Sequence, residues 1–234
     1  MDLKLTDWIF KGGVIRSSGT TGEPKEIHQS INKITAANKV AVECQNINSD
    51  SRIYTVCKME HAGGLLAQTL PGFTVGAHID VEPFNAYTFN SKINDYTHTH
   101  LTPAHCRALM GTKNFWKLDL SNIWVTVGSD PVGWDIIETF VKQGATFMAN
   151  WGMSEVGPTA INTVFRNMDD VAYYQEHAIP DATILGDNFY CEWDIVDGKF
   201  FVSGDICVYS GWFNTQDDVV VNSQGTLYYK GRKW

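Results

Sequence analysis

The sequence predicts an α/β protein: a layered, largely parallel sheet core followed by a small antiparallel β-rich C-terminal extension. Three observations predict it. Strand-like and helix-like stretches alternate through the first three quarters of the chain, the pattern of parallel strands joined by helical crossovers. After about Ile179 this gives way to short extended runs punctuated by Asp197-Gly198 and Gln224-Gly225, which are hairpin signals. At 234 residues, with 44% hydrophobic and 12% aromatic content, the chain can bury a sizeable core. The expected division is residues 1–178 for the core and 179–234 for the β-rich part.

In order along the chain, Gly13-Val14-Ile15-Arg16 reads as a short strand and Ser17 to Lys25 as a loop. Ile27 to Cys44 reads as a helix, because Ile27, Ile31, Ile34, Val40 and Ala41 recur at roughly helical spacing. Ile53 to Cys57 is expected to be extended, Gly63 to Leu70 helical, and Gly76 to Asp80 extended. Tyr96-Thr97-His98-Thr99-His100-Leu101 alternates as a strand does, with both histidines on one face. Thr102 then offers an N-cap and Pro103 a first helical residue for a helix to Met110. Asn122 to Val127 should be extended, Pro131 to Gln143 helical and Ala145 to Ala149 extended. The last quarter supplies Cys191 to Val196, Lys199 to Val202, Asp218 to Val221 and Thr226 to Lys230 as antiparallel strands.

The loop Ser17-Ser18-Gly19-Thr20-Thr21-Gly22-Glu23-Pro24-Lys25 concentrates hydroxyls, flexible backbone and one ammonium group. Glycines let backbone N–H groups turn toward an anion, and Lys25 adds a mobile positive charge, so the chemistry is that of a polyphosphate cradle. It is not a Walker A loop, because Glu23-Pro24 separates Gly22 from Lys25 and Glu26 follows. The net charge of -8 argues against a nucleic-acid or anionic-membrane surface, so an anionic ligand has to be met by local donors. No apolar run is long enough to span a bilayer and the first residues lack a signal peptide's apolar stretch, so the expected location is cytoplasmic. Five cysteines without a close-spaced pair read as buried structural thiols. The cluster of His98, His100, His105 and Cys106 is not read as a metal site; His98 and His100 are read as lining a surface or pocket instead.

Further motifs appear in a telling order. Ser17 to Lys25 resembles the phosphate loop of the adenylate-forming superfamily, which comprises acyl-CoA synthetases, peptide adenylation domains and luciferases. Trp151-Gly152-Met153-Ser154-Glu155 resembles its Tyr-Gly-x-Thr-Glu motif, and Gly211-Trp212-Phe213-Asn214-Thr215-Gln216-Asp217 its Gly-Trp-x-x-Thr-Gly-Asp motif. Gly231-Arg232 resembles the hinge-proximal Gly-Arg. Two weaker matches are Glu60-His61-Ala62-Gly63-Gly64-Leu65, similar to the His-x-x-Gly segment beside the acyl pocket, and Gly128-Ser129-Asp130-Pro131, similar to the turn near the adenine. The resemblance covers nearly the whole chain and is nearest to the o-succinylbenzoate-CoA ligase-like branch.

The resemblance implies the fold of that superfamily's large domain, ATP or AMP with Mg²⁺ as cofactors, and a carboxylic acid as substrate. Ser17, Ser18, Gly19, Thr20, Thr21, Gly22 and Lys25 are expected to hold the β- and γ-phosphates. Ser154 would donate to phosphate and Glu155 would ligate Mg²⁺. Gly128, Ser129, Asp130, Trp151 and Gly152 would border the adenine, with Trp151 stacked on it; Asp217 and Arg232 would meet the ribose. His61, Gly63 and Gly64 would border the acid.

Three departures temper this. Only sixteen residues precede the loop, the family's C-terminal domain with its catalytic lysine is not matched after Gly231-Arg232, and Gln216 stands where the family has Gly. One expectation is therefore an enzyme limited to acyl-adenylate formation, with full CoA ligation failing from this chain alone or needing a separate C-terminal-type domain or acceptor. The other is a non-catalytic nucleotide or acyl-adenylate binding module that senses or scaffolds. Self-association into a homo-oligomer is a third reading.

Overall fold

The computed structural model describes residues 5–17 and 25–232. Helix α1 (Leu5–Lys11) leads into a hairpin of β1 (Gly13–Ser17) and β2 (Lys25–Gln29), antiparallel with Ser17 opposite Lys25. Here the expected helix from Ile27 is corrected. Ile15 and Ile27 face each other across the hairpin, 0% and 5% exposed, so burial follows a period of two through this segment and keeps it extended. Helix α2 (Ile31–Cys44) starts only after Ser30, whose hydroxyl caps it by accepting from Lys33 N at 3.3 Å. The candidate phosphate loop thus joins two strands, not a strand and a helix.

The α/β alternation follows. β3 (Arg52–Thr55) is succeeded by α3 (Ala62–Gly64), which continues through a π-type turn (Leu65–Thr69) into α4 (Leu70–Val75). Gly76, at φ +79°, stops α4 in the left-handed conformation that glycine tolerates best. Then come β4 (His78–Val81), α5 (Ala86–Lys92) capped by Asn85, β5 (His98–Leu101) and α6 (Pro103–Met110). As expected, Thr102 caps α6 and Pro103 opens it, with His105 closing a reciprocal capping box. β6 (Trp124–Val127), α7 (Trp134–Lys142), β7 (Thr146–Met153), β8 (Gly157–Phe165) and α8 (Met168–Glu176) complete this part. The remainder is β9 (Thr183–Gly186), β10 (Asn188–Phe189), β11 (Glu192–Val196), β12 (Lys199–Ser203), β13 (Phe213–Val221) and β14 (Leu227–Arg232).

The main sheet has the order β10-β8-β7-β6-β5-β3-β4, in which β4, β3, β5, β6 and β7 are mutually parallel, β8 is antiparallel to β7, and β10 is antiparallel to β8. From β3 the chain steps outward to β4, then returns to β5 on the other side of β3. Such a reversal is a topological switch point, and the crevice outside the carboxyl ends of the strands there is where open α/β sheets bind ligands. The second sheet, β11-β12-β13-β14-β9, is antiparallel throughout, as the hairpin signals required.

One apolar cluster fills the side of the main sheet facing α5 to α8, with Phe115, Phe140, Phe147 and Phe165 fully buried. A second, around Ile161, Phe200, Val202 and Leu227, joins the two sheets. The other face of the main sheet is keyed to its helices by polar bonds. Gln45 donates to Ala41 O and Ala67 O, and its Oε1 accepts from Gln68 at 2.9 Å and from Thr126 at 2.7 Å. His98 Nε2 donates to Gln45 O at 2.9 Å, which makes His98 a satisfied core histidine. Every member is buried, so each bond also spares a polar atom the cost of desolvation without a partner.

Candidate active site

A cleft of about 1020 Å³ lies along the carboxyl ends of the parallel strands, where the topology places it. Each strand contributes residues at or just past its carboxyl end. β4 gives Glu82, Pro83 and Phe84; β3 gives Val56, Cys57, Lys58 and Met59; β5 gives His100 and Thr102; β6 gives Ser129 and Asp130; β7 gives Asn150, Gly152 and Met153. Ser154 and Glu155, in the turn between β7 and β8, close one side together with Ser17 and Arg232. Residues far apart in sequence thereby meet in one groove, roughly the volume of a drug-sized ligand site.

The cleft gathers much of the motif set. Ser17, His61, Gly63, Gly64, Ser129, Asp130, Gly152, Ser154, Glu155 and Arg232 all line it. Lys25, an exposed residue opposite Ser17 at the start of β2, brings the end of the loop to the cleft's edge. Ser18, Gly19, Thr20, Thr21 and Gly22 lie outside the described residues. Gly128 sits behind Asn150, and a Cβ on it would come within 2.6 Å of Asn150 O. His61 begins α3, and its Nδ1 donates to Arg16 O at 2.9 Å, tying the acyl-side segment to the hairpin. Gly64 permits a close pass: a Cβ there would lie 2.1 Å from Lys58 O.

Trp151 and Asp217 stand behind the cleft wall. The Trp151 indole packs edge-to-face on Phe200, centroids 5.3 Å apart, and its Nε1 donates to Asp217 Oδ2 at 3.2 Å. Asp217, 1% exposed, accepts from Arg232 Nε at 2.6 Å on its other oxygen. The pair fixes the Arg232 guanidinium beside the cleft.

Two features were not legible as site residues. Lys33, in the first turn of α2, is 2% exposed and donates to Gln29 Oε1 and, at 3.5 Å, to Ser154 O; Gln29 Nε2 donates to the same carbonyl at 3.0 Å. This clasp holds the end of β2 against the Ser154-Glu155 turn, 125 residues away. Burial pushes the Lys33 ammonium pKa down to about 8, against the opposing pull of Cys207 and Glu155. The second feature is the cleft's β4 end, where Phe84 stacks on His105 with centroids 4.1 Å apart, beside Cys57 and His100. The nearest sequence signals were the His-rich strand and the residues following Phe84, and neither fixed a geometry.

Among the described residues no group of three His, Cys, Asp or Glu is placed to hold a metal, and none of the cysteines is paired. Burial raises the Cys44, Cys57 and Cys191 thiols to about 12, so they are inert at neutral pH, as structural thiols are. No helix among these residues is long and apolar enough to cross a membrane.

A mainly parallel sheet with a cleft at its switch point defines an α/β ligand-binding protein. Comparison gives the family: residues 13–210 match the AMP-binding enzyme family, and the chain belongs to it. A curated relative is indoleacetate–CoA ligase of Aromatoleum aromaticum, 27% identical over 93% of this chain and 46% of that protein. The fold is shared with ATP-bound MatB from Rhodopseudomonas palustris (TM-score 0.77, 15% identity, covering 94% of this chain and 48% of that one). It is also shared with o-succinylbenzoate coenzyme A synthetase from Bacillus subtilis in complex with AMP (TM-score 0.75, 18% identity, 94% and 49%). The chain spans about half the length of these proteins.

Proposed function

We propose that this chain binds ATP and a carboxylic acid and joins them as an acyl-adenylate, releasing pyrophosphate. The observation that carries this is the single cleft into which Ser17, His61, Ser129, Asp130, Ser154, Glu155 and Arg232 converge from five separate segments. In this reaction a carboxylate oxygen attacks the α-phosphorus, the bond to the bridging oxygen breaks, and pyrophosphate leaves with the electron pair. Two anions have to approach each other, so fixed donors and cations at the phosphates do most of the catalytic work. Lys25 and the Ser17 to Gly22 donors take the β- and γ-phosphates, and Ser154 adds a hydroxyl. Arg232 takes the ribose contact, with Asp217 holding it in place. Gly152 and Met153 form the wall beside the adenine, and Trp151 supports that wall from behind. Residues 1–178 serve as the nucleotide and acyl core and residues 179–234 as the β-rich subdomain that brings Arg232 to it.

Mg²⁺ fits the residues present. Glu155 offers a carboxylate to the cleft, and the buried Asn150 Oδ1 has no protein partner. A single carboxylate with hard oxygen donors suits an ion held mostly by phosphate oxygens and water. The ion would neutralise phosphate charge; Glu155 would hold it.

A non-catalytic nucleotide-binding module is the second reading, favoured by Gln216. It keeps a left-handed turn (φ +67°) at the position where the family has Gly, beside Asp217, and adds a side chain there. Pyrophosphate exchange with a panel of carboxylic acids separates the two. Exchange that vanishes in Lys25→Ala and Glu155→Ala supports the enzyme, nucleotide binding without exchange supports the module, and no binding of ATP or AMP removes both.

A further inference from the structure

We propose that the β4–β3–β5 end of the cleft selects a monocarboxylic acid with a neutral, flat, aromatic tail that carries an N–H or O–H donor, and that His100 is the residue that recognises that donor. The inference rests on the adenylate-forming reading and deepens it, by naming the class of acid.

Three independent observations support it. The first is an open hydrogen bond. His100 lines the cleft and is 4% exposed, its Nδ1 donates to Gly63 O at 2.6 Å, and its Nε2 has no partner. Because a carbonyl only accepts, the ring proton sits on Nδ1, which leaves Nε2 as an acceptor. Burial depresses the imidazole pKa to about 4, so the ring is neutral at working pH and this assignment holds. A buried acceptor without a partner is costly, and a ligand donor is what satisfies it. Gly63 leaves the approach to this ring clear: a Cβ there would lie 2.7 Å from His100 Cε1, the carbon between the two nitrogens.

The second observation is shape. The Phe84 and His105 rings stack with an interplanar angle of 17° at the same end of the cleft, and Val56 and Cys57 line the wall beside them. Flat, parallel rings favour an aromatic body stacked in an offset arrangement. The third is charge. Glu82 is the charged group that β4 contributes, already engaged by Lys92 and by Tyr54 at 2.9 Å, and the cation of the β4, β3 and β5 lining is Lys58, which is exposed to solvent. Burial also lowers the His105 pKa, which keeps that ring neutral. A second carboxylate on the tail would meet Glu82 and two neutral rings, and the solvent-screened Lys58 offers it too little to offset its desolvation.

The test measures binding of acids to the full chain by calorimetry in the presence of ATP and Mg²⁺, using isosteric pairs. The pairs are indole-3-acetate against 1-benzothiophene-3-acetate, and 4-hydroxyphenylacetate against 4-methylphenylacetate. The expected result is a preference of about tenfold to a hundredfold for the donor-bearing member of at least one pair, from the cost of an unmet buried acceptor. That preference should vanish in His100→Phe, and 2-carboxyphenylacetate should bind worse than either donor-bearing acid. Equal affinities within both pairs, a preference that persists in His100→Phe, or tighter binding of the dicarboxylate each overturn the assignment. ATP titrated alone separates the failures. If ATP binds and no acid is discriminated, the His100 assignment falls by itself; if ATP does not bind, the adenylate-forming reading falls and takes it along.

Discussion

Replacing Lys33 by methionine should remove a pH dependence from the stability of the fold, and its size follows from the environment of one ammonium group. Lys33 is 2% exposed and its pKa is lowered from 10.5 to about 8, mainly by burial. A shift of about 2.5 units is worth about 3 kcal/mol at 1.36 kcal/mol per unit. The sign is set by which state holds more protons. Below about pH 8 the lysine is charged in both states and the folded protein bears the full penalty of a desolvated cation. Between about 8 and 10.5 the unfolded chain binds the extra proton, so stability rises with pH until the penalty is gone. Integrated from pH 7 to pH 9, the gain is on the order of 1 kcal/mol. For a domain of this size that corresponds to roughly 2 to 4 °C in melting temperature. The buried thiols and phenols pull the other way at alkaline pH, but apart from Cys207, whose thiol Lys33 pulls down, they are common to both proteins and cancel in the difference. The measurement is chemical denaturation of wild type and Lys33→Met at pH 7, 8 and 9. A stability difference that stays flat over that range would refute the claim that a desolvated Lys33 ammonium is present in the folded state.

Other outcomes follow from the same geometry. Glu155→Gln should lower the Mg²⁺-dependent part of ATP affinity by roughly tenfold to a hundredfold, the cost of a lost charged ligand, while leaving binding in EDTA nearly unchanged; titration calorimetry with and without the metal reads the split. Asp217→Ala leaves Arg232 without its buried carboxylate, and the expected cost is about 2 to 3 kcal/mol, less than for a fully buried pair because Arg232 is a quarter exposed. Urea unfolding measures it, and a loss under 0.5 kcal/mol, the scatter of ordinary surface substitutions, would contradict the clamp. Gly64→Ala forces a methyl against the Lys58 carbonyl and should destabilise by at least about 1 to 3 kcal/mol, visible as a lower melting temperature; an unchanged melting temperature would show that the chain passes less closely there than 2.1 Å.

Much of the fold was legible because its signals were local. The Thr102-Pro103 start of α6 could be read from capping chemistry alone, and the Asp197-Gly198 turn between β11 and β12 from the needs of a tight hairpin. Ile27 to Gln29 misled because Ile27 also fits the helical period of Ile31 and Ile34; what decided the matter was pairing with β1, a contact that no window of sequence contains. β8 escaped for a related reason. Its buried Thr159, Asn162 and Thr163 break the apolar run expected of a buried strand, and its place is set by β7 alongside it. In the cleft, many of the lining residues could be named from sequence because they belong to motifs, which are short and ordered. Asn150 and Lys33 could not, and His100 was legible only as a residue lining a surface or pocket, because each acquires its significance from an unpaired atom or a buried charge, which exist only once the chain has folded.

The hydrogen-bonded seam around Gln45 has a consequence for how such a protein can diverge. An apolar seam accepts many settings of a helix layer, since oil slides on oil. Donors and acceptors accept few, because a small rotation exchanges satisfied atoms for orphans. The segment carrying His61, Gly63 and Gly64 therefore takes its position from Gln45, Gln68, His98 and Thr126, none of which lines the cleft. Lining side chains are free to drift and the wall that carries them stays aimed, which is how a single scaffold can change its cargo without being rebuilt.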